Sequence, residues 1–246
     1  MIPLIDLHTH ILPGLDDGAR DWEEALDMAR LALADGITTV VATPHLFRQR
    51  VVGDFNPPEL ILERVEQLRT RLAEAGLDLR VAAGCEVPLT YEAMRLLDEG
   101  RLLSLNNANR YVCLEMPDTA IPLATQELIF QFSAKGLTPI ITHPERNPVF
   151  AEMPDKLMSL LRLGCLTQIT AGSLTGAFGR RVARFAKQLL TKGYVQIMAS
   201  DAHNSHRRPP LLKAALQKLT AIVGESRAWD MVAATPQKIL NGEPVF

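Results

Sequence analysis

Short runs of apolar and β-branched residues alternate along this chain with longer stretches whose apolar positions recur every three to four residues, as far as residue 201. The first period belongs to strands and the second to amphipathic helices. The first strand carries Ile5-Asp-Leu-His-Thr-His10, with Ile2 and Leu4 ahead of it. Helix 1 is predicted over about Trp22 to Asp35, with Trp22, Ala25, Leu26, Ala29 and Leu33 as its stripe. Asp21 and Glu24 read as a capping box and Gly36 as the stop. Strand 2 runs from Ile37 to Thr43 and ends at Pro44-His45, followed by a polar loop, Leu46 to Asn56. Pro57 and Pro58 open helix 2, which runs to Gly76. Strand 3, Leu79 to Cys85, ends at Glu86, and a short helix follows over about Tyr91 to Glu99. Strand 4, Tyr111 to Leu114, ends at Glu115; a helix covers about Leu123 to Lys135. Strand 5, Thr138 to Thr142, ends at His143; a helix spans about Pro154 to Leu163. Strand 6 is Leu166 to Thr170, with a helix over about Gly179 to Lys192. Strand 7, Val195 to Ser200, ends at Asp201, and the remainder is helical over about Leu211 to Val223 and Arg227 to Ala234. Strands alternating with helices imply a parallel sheet. The expectation is α/β: a single domain over residues 1–246, closed or nearly closed as a barrel of seven β/α units, with a doubly wound open sheet as the alternative.

Composition narrows this little further. A chain of 246 residues suits one α/β barrel. A formal charge of −2 gives no global field to draw nucleic acid or an anionic membrane, so neither is expected as a partner. Cys85, Cys113 and Cys165 are unevenly spaced in or beside apolar runs, which reads as buried reduced thiols rather than a disulfide framework. The N-terminus lacks a basic segment followed by an apolar one, and no apolar run is long enough to cross a bilayer. A cytoplasmic protein without membrane insertion is expected.

The chemistry concentrates at strand ends. Alternate residues of a strand share a face, so His8 and His10 point the same way. A His-x-His pair alone is weak evidence for a metal. Here, however, Asp17, His45, Glu86, Glu115, His143, Asp201 and His203 also stand at or just past the C-terminal ends of strands, which together with the first pair accounts for six of the seven predicted strands. In a parallel barrel those ends meet on one face, where sites form. Any one residue taken alone is more ordinary as a satisfied structural group; their coincidence is the signal. Five imidazoles and four carboxylates are too many for one ion and suit two or three, Mn²⁺, Fe²⁺ or Zn²⁺. Such clusters activate water and hold attacking and leaving oxygens in line, which is phosphate-ester chemistry. Arg146 and Arg208 fall on the same rim and match phosphate oxygens in fork geometry. Arg180 and Arg181, at the start of a helix, read equally well as an exposed face. His206 lies outside the pattern. A Cys-x5-Arg phosphate loop, a Gly-x-Ser-x-Gly elbow, a Walker loop and a dinucleotide fingerprint are all absent.

These residues resemble the PHP (polymerase and histidinol phosphatase) superfamily, and within it the metal-dependent bacterial tyrosine phosphatases of capsule and exopolysaccharide loci. The matching stretches are Asp6-Leu-His-Thr-His10-Ile-Leu-Pro-Gly, Asp16-Asp17-Gly18, Ala42-Thr-Pro-His45, Gly84-Cys-Glu86-Val, Leu114-Glu115-Met-Pro, Thr142-His143-Pro-Glu-Arg146, Thr170-Ala-Gly-Ser-Leu and Ala199-Ser-Asp201-Ala-His203-Asn, with the tail from Pro236 to Pro244. The resemblance implies a distorted, TIM-like (β/α)7 barrel with a trinuclear, commonly manganese-activated site. It implies that His8, His10, Glu86 and Asp201 hold one ion, that Glu86, Glu115 and His143 hold a second, and that Asp17, His45 and His203 hold a third. Either Asp16 or Asp17 suits the last position, and the resemblance favours Asp17. It matches Arg146 and Arg208 to the phosphate-contacting arginines. The loop from Leu46 to Phe55 departs from the family pattern.

The implied activity is hydrolysis of protein phosphotyrosine by a hydroxide formed on the metals, with His203 or a metal-held water as candidate acid. The implied partner is the tyrosine-rich tail of a polysaccharide-export tyrosine kinase, and the family also implies self-association. Two rivals stand beside it: a phosphatase of histidinol phosphate or another small ester, and a non-catalytic regulatory barrel. The second predicts missing ligands, yet all nine are present. An amidohydrolase would want a bridging lysine at a strand end, where this chain has Glu86 and Glu115.

Overall fold

The computed structural model describes residues 3–47 and 54–246; Ile2 and the middle of the predicted loop, residues 48–53, lie outside them. Its strands are β1 (Leu4–Thr9), β2 (Ile37–Ala42), β3 (Arg80–Ala83), β4 (Glu86–Pro88), β5 (Tyr111–Glu115), β6 (Thr138–Thr142), β7 (Leu166–Thr170) and β8 (Ile197–Ala199). The helices that matter below are α1 (Trp22–Ala34), α2 (Pro58–Glu74), α3 (Tyr91–Asp98), α4 (Thr125–Ala134), α5 (Pro148–Glu152), α6 (Pro154–Leu161), α7 (Ala171–Thr175), α8 (Gly179–Thr191), α9 (Lys213–Val223), α10 (Glu225–Trp229) and α11 (Thr235–Leu240). No helix among the described residues is long and apolar enough to cross a membrane.

Among the described residues every pairing between these strands is parallel and every neighbour in a sheet is the next strand in sequence, in the orders β1-β2-β3 and β4-β5-β6-β7-β8. The alternation read from the sequence therefore produces the expected TIM-like α/β arrangement. One element differs. The strand predicted from Leu79 to Cys85 ends early at Ala83, and the chain re-enters a sheet as β4, which begins on Glu86 itself. Gly84 lies between. A Cβ there would stand 2.8 Å from Leu105 Cδ2 and 3.0 Å from Val41 Cγ1, so any larger residue would push these side chains aside where the backbone steps between sheets.

Isolated bridges join the two sheets, one from the residues after β2 to the start of β4 and one from β1 to the residues after β8. Glu86 N–H donates to Pro44 O (3.0 Å) and Leu46 N–H to Glu86 O (2.8 Å). At the second seam Asp201 N–H donates to His8 O (2.9 Å) and His10 N–H to Ala202 O (2.8 Å). The seams carry His45, Glu86, His10 and Asp201, so the backbone that joins the sheets also carries histidines and carboxylates singled out above.

Strand alternation divides the core in two. Ile5, Leu7, Val41, Ala82, Cys113, Ile140 and Ile197 pack together on one side of the strands. Their neighbours Leu4, Val40, Val81, Val112, Leu114, Ile141 and Met198 pack with the helices on the other. Ile239 and Leu240 of α11 join the first cluster. Tyr111 Oη donates to Glu243 O (2.7 Å) and Asn106 Nδ2 to Leu240 O (2.9 Å), so the tail is tied to the first residue of β5 and to the loop before it. The three cysteines are free and buried, as expected.

The predicted capping box at α1 forms by half. Asp21 Oδ1 accepts from Glu24 N–H at 2.9 Å, a cap worth about 1 kcal/mol. Glu24 does not return the bond; it accepts from Arg20 Nε (2.7 Å) and Arg20 N–H (3.1 Å). The helix predicted from Pro154 is preceded by a short extra one, α5, and the last helical stretch is divided into α10, a π-turn at Asp230–Ala234, and α11.

Candidate metal centre

β1 presents His8 and His10, both fully buried, with their Nε2 atoms 3.1 Å apart. Each ring is held from behind. His8 Nδ1 lies 2.8 Å from Gln168 Oε1, and His10 Nδ1 lies 2.6 Å from Asp16 Oδ2. An amide oxygen and a carboxylate both accept, which puts the ring protons on Nδ1 and frees the Nε2 lone pairs to face the cluster. Facing them are Glu86 Oε2, at 3.2 Å from His8 and 3.5 Å from His10, and Asp201 Oδ1, at 3.6 Å and 3.5 Å.

The turn after β1 decides between the two aspartates. Asp16 is buried, and its oxygens are spent on His10 Nδ1, His45 N–H (2.9 Å) and Gly18 N–H (2.9 Å). Asp17 is 59% exposed, and its Oδ1 stands 3.5 Å from both His45 Nε2 and His203 Nε2. Asp17 thus faces the cluster, whereas Asp16 is engaged behind His10. Gly18 is required here by close approach: a Cβ would fall 2.1 Å from His10 O. Removing the Asp16 carboxylate (Asp16→Ala) is expected to weaken metal binding about 10- to 100-fold with the fold retained. A competition titration against a chelator checks this, and unchanged affinity removes Asp16 from the role.

Glu86 is the hub. Its Oε1 accepts from Thr142 Oγ1 (2.7 Å) and lies 3.2 Å from His143 Nε2. Its Oε2 lies 3.2 Å from His45 Nδ1, besides the two β1 histidines. Glu115 Oε2 stands 3.6 Å from His45 Nδ1, and Glu115 Oε1 stands 3.9 Å from His143 Nε2. His143 and Asp201 both take left-handed backbone, with φ of 36° and 53°. That conformation is uncommon outside glycine, though aspartate and histidine adopt it more readily than most residues.

All nine predicted ligands therefore meet at one place. Their donor atoms gather in overlapping groups, within 4.8 Å of one another: His8, His10 and Asp201; His45, Glu86 and Glu115; and His10, Asp17, His45 and His203. His143 joins through Glu86. The donor set fits divalent cations by a further sign: the buried Glu86 Oε2 accepts no hydrogen bond, although three imidazole nitrogens lie 3.2 to 3.5 Å from it. Mixed imidazole and carboxylate donors with no thiolate suit Mn, Fe or Zn.

Electrostatics follow from burial and pairing. Burial opposes charge on His8, but Glu86 and Asp201 outweigh it and its pKa rises. Burial likewise opposes charge on His10, yet Asp16 raises it well above the ordinary value. Burial would raise Glu86 and Asp201; His8 pulls the first well down, and Arg146 and His8 the second. Burial, with Arg146 nearby, pushes His143 down to about 4, so it is neutral and ready to donate electrons at pH 7. His203 is also lowered, by burial and then by His10.

Arg146 and Arg208 stand at the edge, their Nη2 atoms 2.7 Å and 2.6 Å from Asp201 Oδ2. Phe178, ahead of α8, stacks under both, 5.0 Å from the Arg146 guanidinium and 5.9 Å from that of Arg208. Arg181 instead pairs with exposed Glu152, and His206 is largely exposed beside Glu24, so neither joins the site.

Five supporting residues escaped the sequence reading as site groups: Asp6, Thr142, Glu145, Gln168 and Phe178. Buried Asp6 accepts from Ser200 N–H (2.9 Å), pinning the turn that carries Asp201 to β1; burial raises its pKa to about 6. Buried Glu145 accepts from Thr170 N–H (2.9 Å) and Ser173 Oγ (2.6 Å), anchoring the turn that presents Arg146. Asp6 had a signal in sequence, a carboxylate inside an apolar strand. Gln168 had none, being an ordinary polar residue of β7 until His8 is seen against it.

The family model for capsular polysaccharide synthesis, CpsB/CapC, matches residues 4–241. The tyrosine-protein phosphatase YwqE of Bacillus subtilis is 35% identical over 243 residues, covering 99% of this chain and 94% of that protein. The tyrosine-protein phosphatase CpsB of Streptococcus pneumoniae is 29% identical, covering 96% and 98%. A solved structure from work on YwqE and CpsB, described as unique metal-dependent tyrosine phosphatases, superimposes with a TM-score of 0.93 at 35% identity, covering 99% of this chain and 96% of the other.

Proposed function

Because the chain belongs to the capsular polysaccharide synthesis family CpsB/CapC, we propose that it is a metal-dependent protein-tyrosine phosphatase, a phosphoric monoester hydrolase acting in capsule or exopolysaccharide production. The observation that carries this reading is the convergence of five imidazoles and four carboxylates on one end of the strands, with two arginines at their edge. Two to three divalent ions are assigned to that set, manganese first and iron or zinc next. Held there, they would activate water and neutralise phosphoryl charge.

The protein's own groups do the rest. His8, His10, Glu86 and Asp201 form one ligand set, Glu86, Glu115 and His143 a second, and Asp17, His45 and His203 a third, with His10 and His45 close enough to be shared. Arg146 and Arg208 bind the phosphoryl oxygens. Each guanidinium carries five N–H groups, so contact with Asp201 leaves donors for substrate. Phe178 keeps the two guanidinium planes in place. His203 is assigned to the metal set rather than to acid catalysis. Its Nδ1 is 3.0 Å from Asp201 O and its Nε2 faces Asp17, so both nitrogens are engaged. A phenolate leaving group, with a conjugate-acid pKa near 10, needs little proton help. The proposed substrate is phosphotyrosine on the tail of a polysaccharide-export tyrosine kinase, reached in the cytoplasm.

Initial rates on a phosphotyrosyl peptide and on histidinol phosphate, with Mn²⁺ and with EDTA, test the reading. Preference for the peptide, abolished by EDTA, is expected. Preference for histidinol phosphate would keep the metal chemistry and overturn the substrate.

Metal uptake should also be linked to pH. Raised pKa values keep His8 and His10 protonated to higher pH than a free imidazole, and a cation must displace those protons. Affinity is therefore expected to fall as pH falls, with protons released on loading at neutral pH. Calorimetry in two buffers of different ionisation enthalpy reads the release; identical heats in both would contradict it.

A further inference from the structure

Two clefts flank the cluster, divided by the segment Glu115 to Asp118 that follows β5 and lines both. One, of about 160 Å³, is polar and holds His143, Arg146, Asn147 and Phe178. The other, of about 230 Å³, has His45 and Glu115 at its inner end and Phe47, Pro88, Leu89 and Met116 as apolar walls. Its inner end thus adjoins His45 and Glu115, and the rest of its lining, which includes Thr90, Pro117 and Asp118, supplies no cation to an anion. A phosphoryl group drawn to Arg146 and the cluster has its charged side satisfied toward the polar cleft. Its ester substituent is then left facing the apolar one. The apolar cleft is smaller than the roughly 300 Å³ lower bound of ordinary ligand pockets, which suits one ring rather than a folded peptide segment. Its walls are well supported: Phe47 bridges to Phe55, and Asn56 Nδ2 donates to His45 O (2.8 Å) and Leu15 O (2.9 Å), fixing the base of the loop.

We propose that this apolar cleft is the leaving-group subsite, that it receives the aryl ring of the phosphoester, and that Phe47, Leu89 and Met116 set a preference for aryl over alkyl phosphates. The proposal rests on the phosphatase reading above and adds to it the residues that select the substrate class. A flat ring fills the cleft and meets the Met116 thioether, a favourable aromatic neighbour. A serine-derived ester ends before reaching the walls and leaves them in water.

The test compares O-phosphotyrosine with O-phosphoserine, which share the amino-acid head and differ by the ring. Their intrinsic reactivities differ, but that difference cancels when the ratio of kcat/KM values is compared between variants of the manganese-loaded protein. Met116→Ala removes a wall and Leu89→Trp fills the cleft. Each is expected to lower the phosphotyrosine-to-phosphoserine ratio about tenfold, mainly through KM for phosphotyrosine, with Met116→Leu restoring it. Metal content and circular dichroism accompany each variant, so that a loss of fold, which lowers both substrates together, is told apart from a loss of selection. A ratio unchanged in both variants overturns the subsite while leaving the phosphatase reading intact. Failure of the unsubstituted protein to hydrolyse either ester overturns that reading and the subsite with it.

Discussion

Replacement of Glu86 by glutamine is expected to abolish hydrolysis and to remove at least one metal ion per chain, with the fold preserved. One carboxylate serves four imidazoles here. Its Oε2 faces His8, His10 and His45 at 3.2, 3.5 and 3.2 Å, and its Oε1 faces His143 at 3.2 Å. Glutamine keeps the volume and an oxygen for Thr142 Oγ1, so packing is nearly unaltered. It loses the charge that draws cations to the shared position, and its amide nitrogen presents donors to groups that must themselves donate electrons. The activity loss should exceed the roughly 100-fold that changes to supporting residues produce. Kinetics, metal analysis by mass spectrometry and a thermal melt read the three quantities separately. Full activity with full metal content in Glu86→Gln would sink the assignment of the hub.

The second large effect is at Arg146. Arg146→Ala is expected to lower kcat by about 10²- to 10³-fold, the cost of removing one positioned donor from a transferring group. Metal content should hardly change, since the guanidinium supplies no ligand and Asp201 retains Arg208 at 2.6 Å and the histidines beside it. Arg146→Lys should recover only part of the loss, because an ammonium cannot reproduce the fork or the stack on Phe178. Metal loss in Arg146→Ala would instead make the residue a prop for Asp201. The two variants thus separate the holding of metal from the holding of phosphate.

Much of this arrangement is legible in the sequence, for identifiable reasons. Strand alternation puts His8 and His10 on one face, and parallel β/α order puts every strand end at one end of the fold. His45, Glu115, His143 and Asp201 could therefore be gathered on one site without coordinates. The buried thiols and the α1 cap followed from local pattern in the same way. Two things did not. The strand predicted through Gly84 is interrupted there, and the side chains that crowd Gly84, Leu105 and Val41, are distant from it in sequence. The supporting residues were equally hidden: Gln168 is 160 positions from His8, and Asp6 accepts from Ser200 across 194.

The sequence by itself pointed to the residue types that gather, to their places at or beside strand ends and to the parallel order that assembles them, since each depends on periodicity and chain order alone. Only the tertiary structure decided that Asp17 rather than Asp16 faces the cluster, that Glu86 is shared among four imidazoles, and that an apolar cleft opens beside Glu115. Those outcomes depend on distances between segments that no local pattern encodes. Asp16 is withdrawn because His10, His45 and Gly18 already occupy its oxygens, and that competition exists only once β1 and the chain after β2 are packed together.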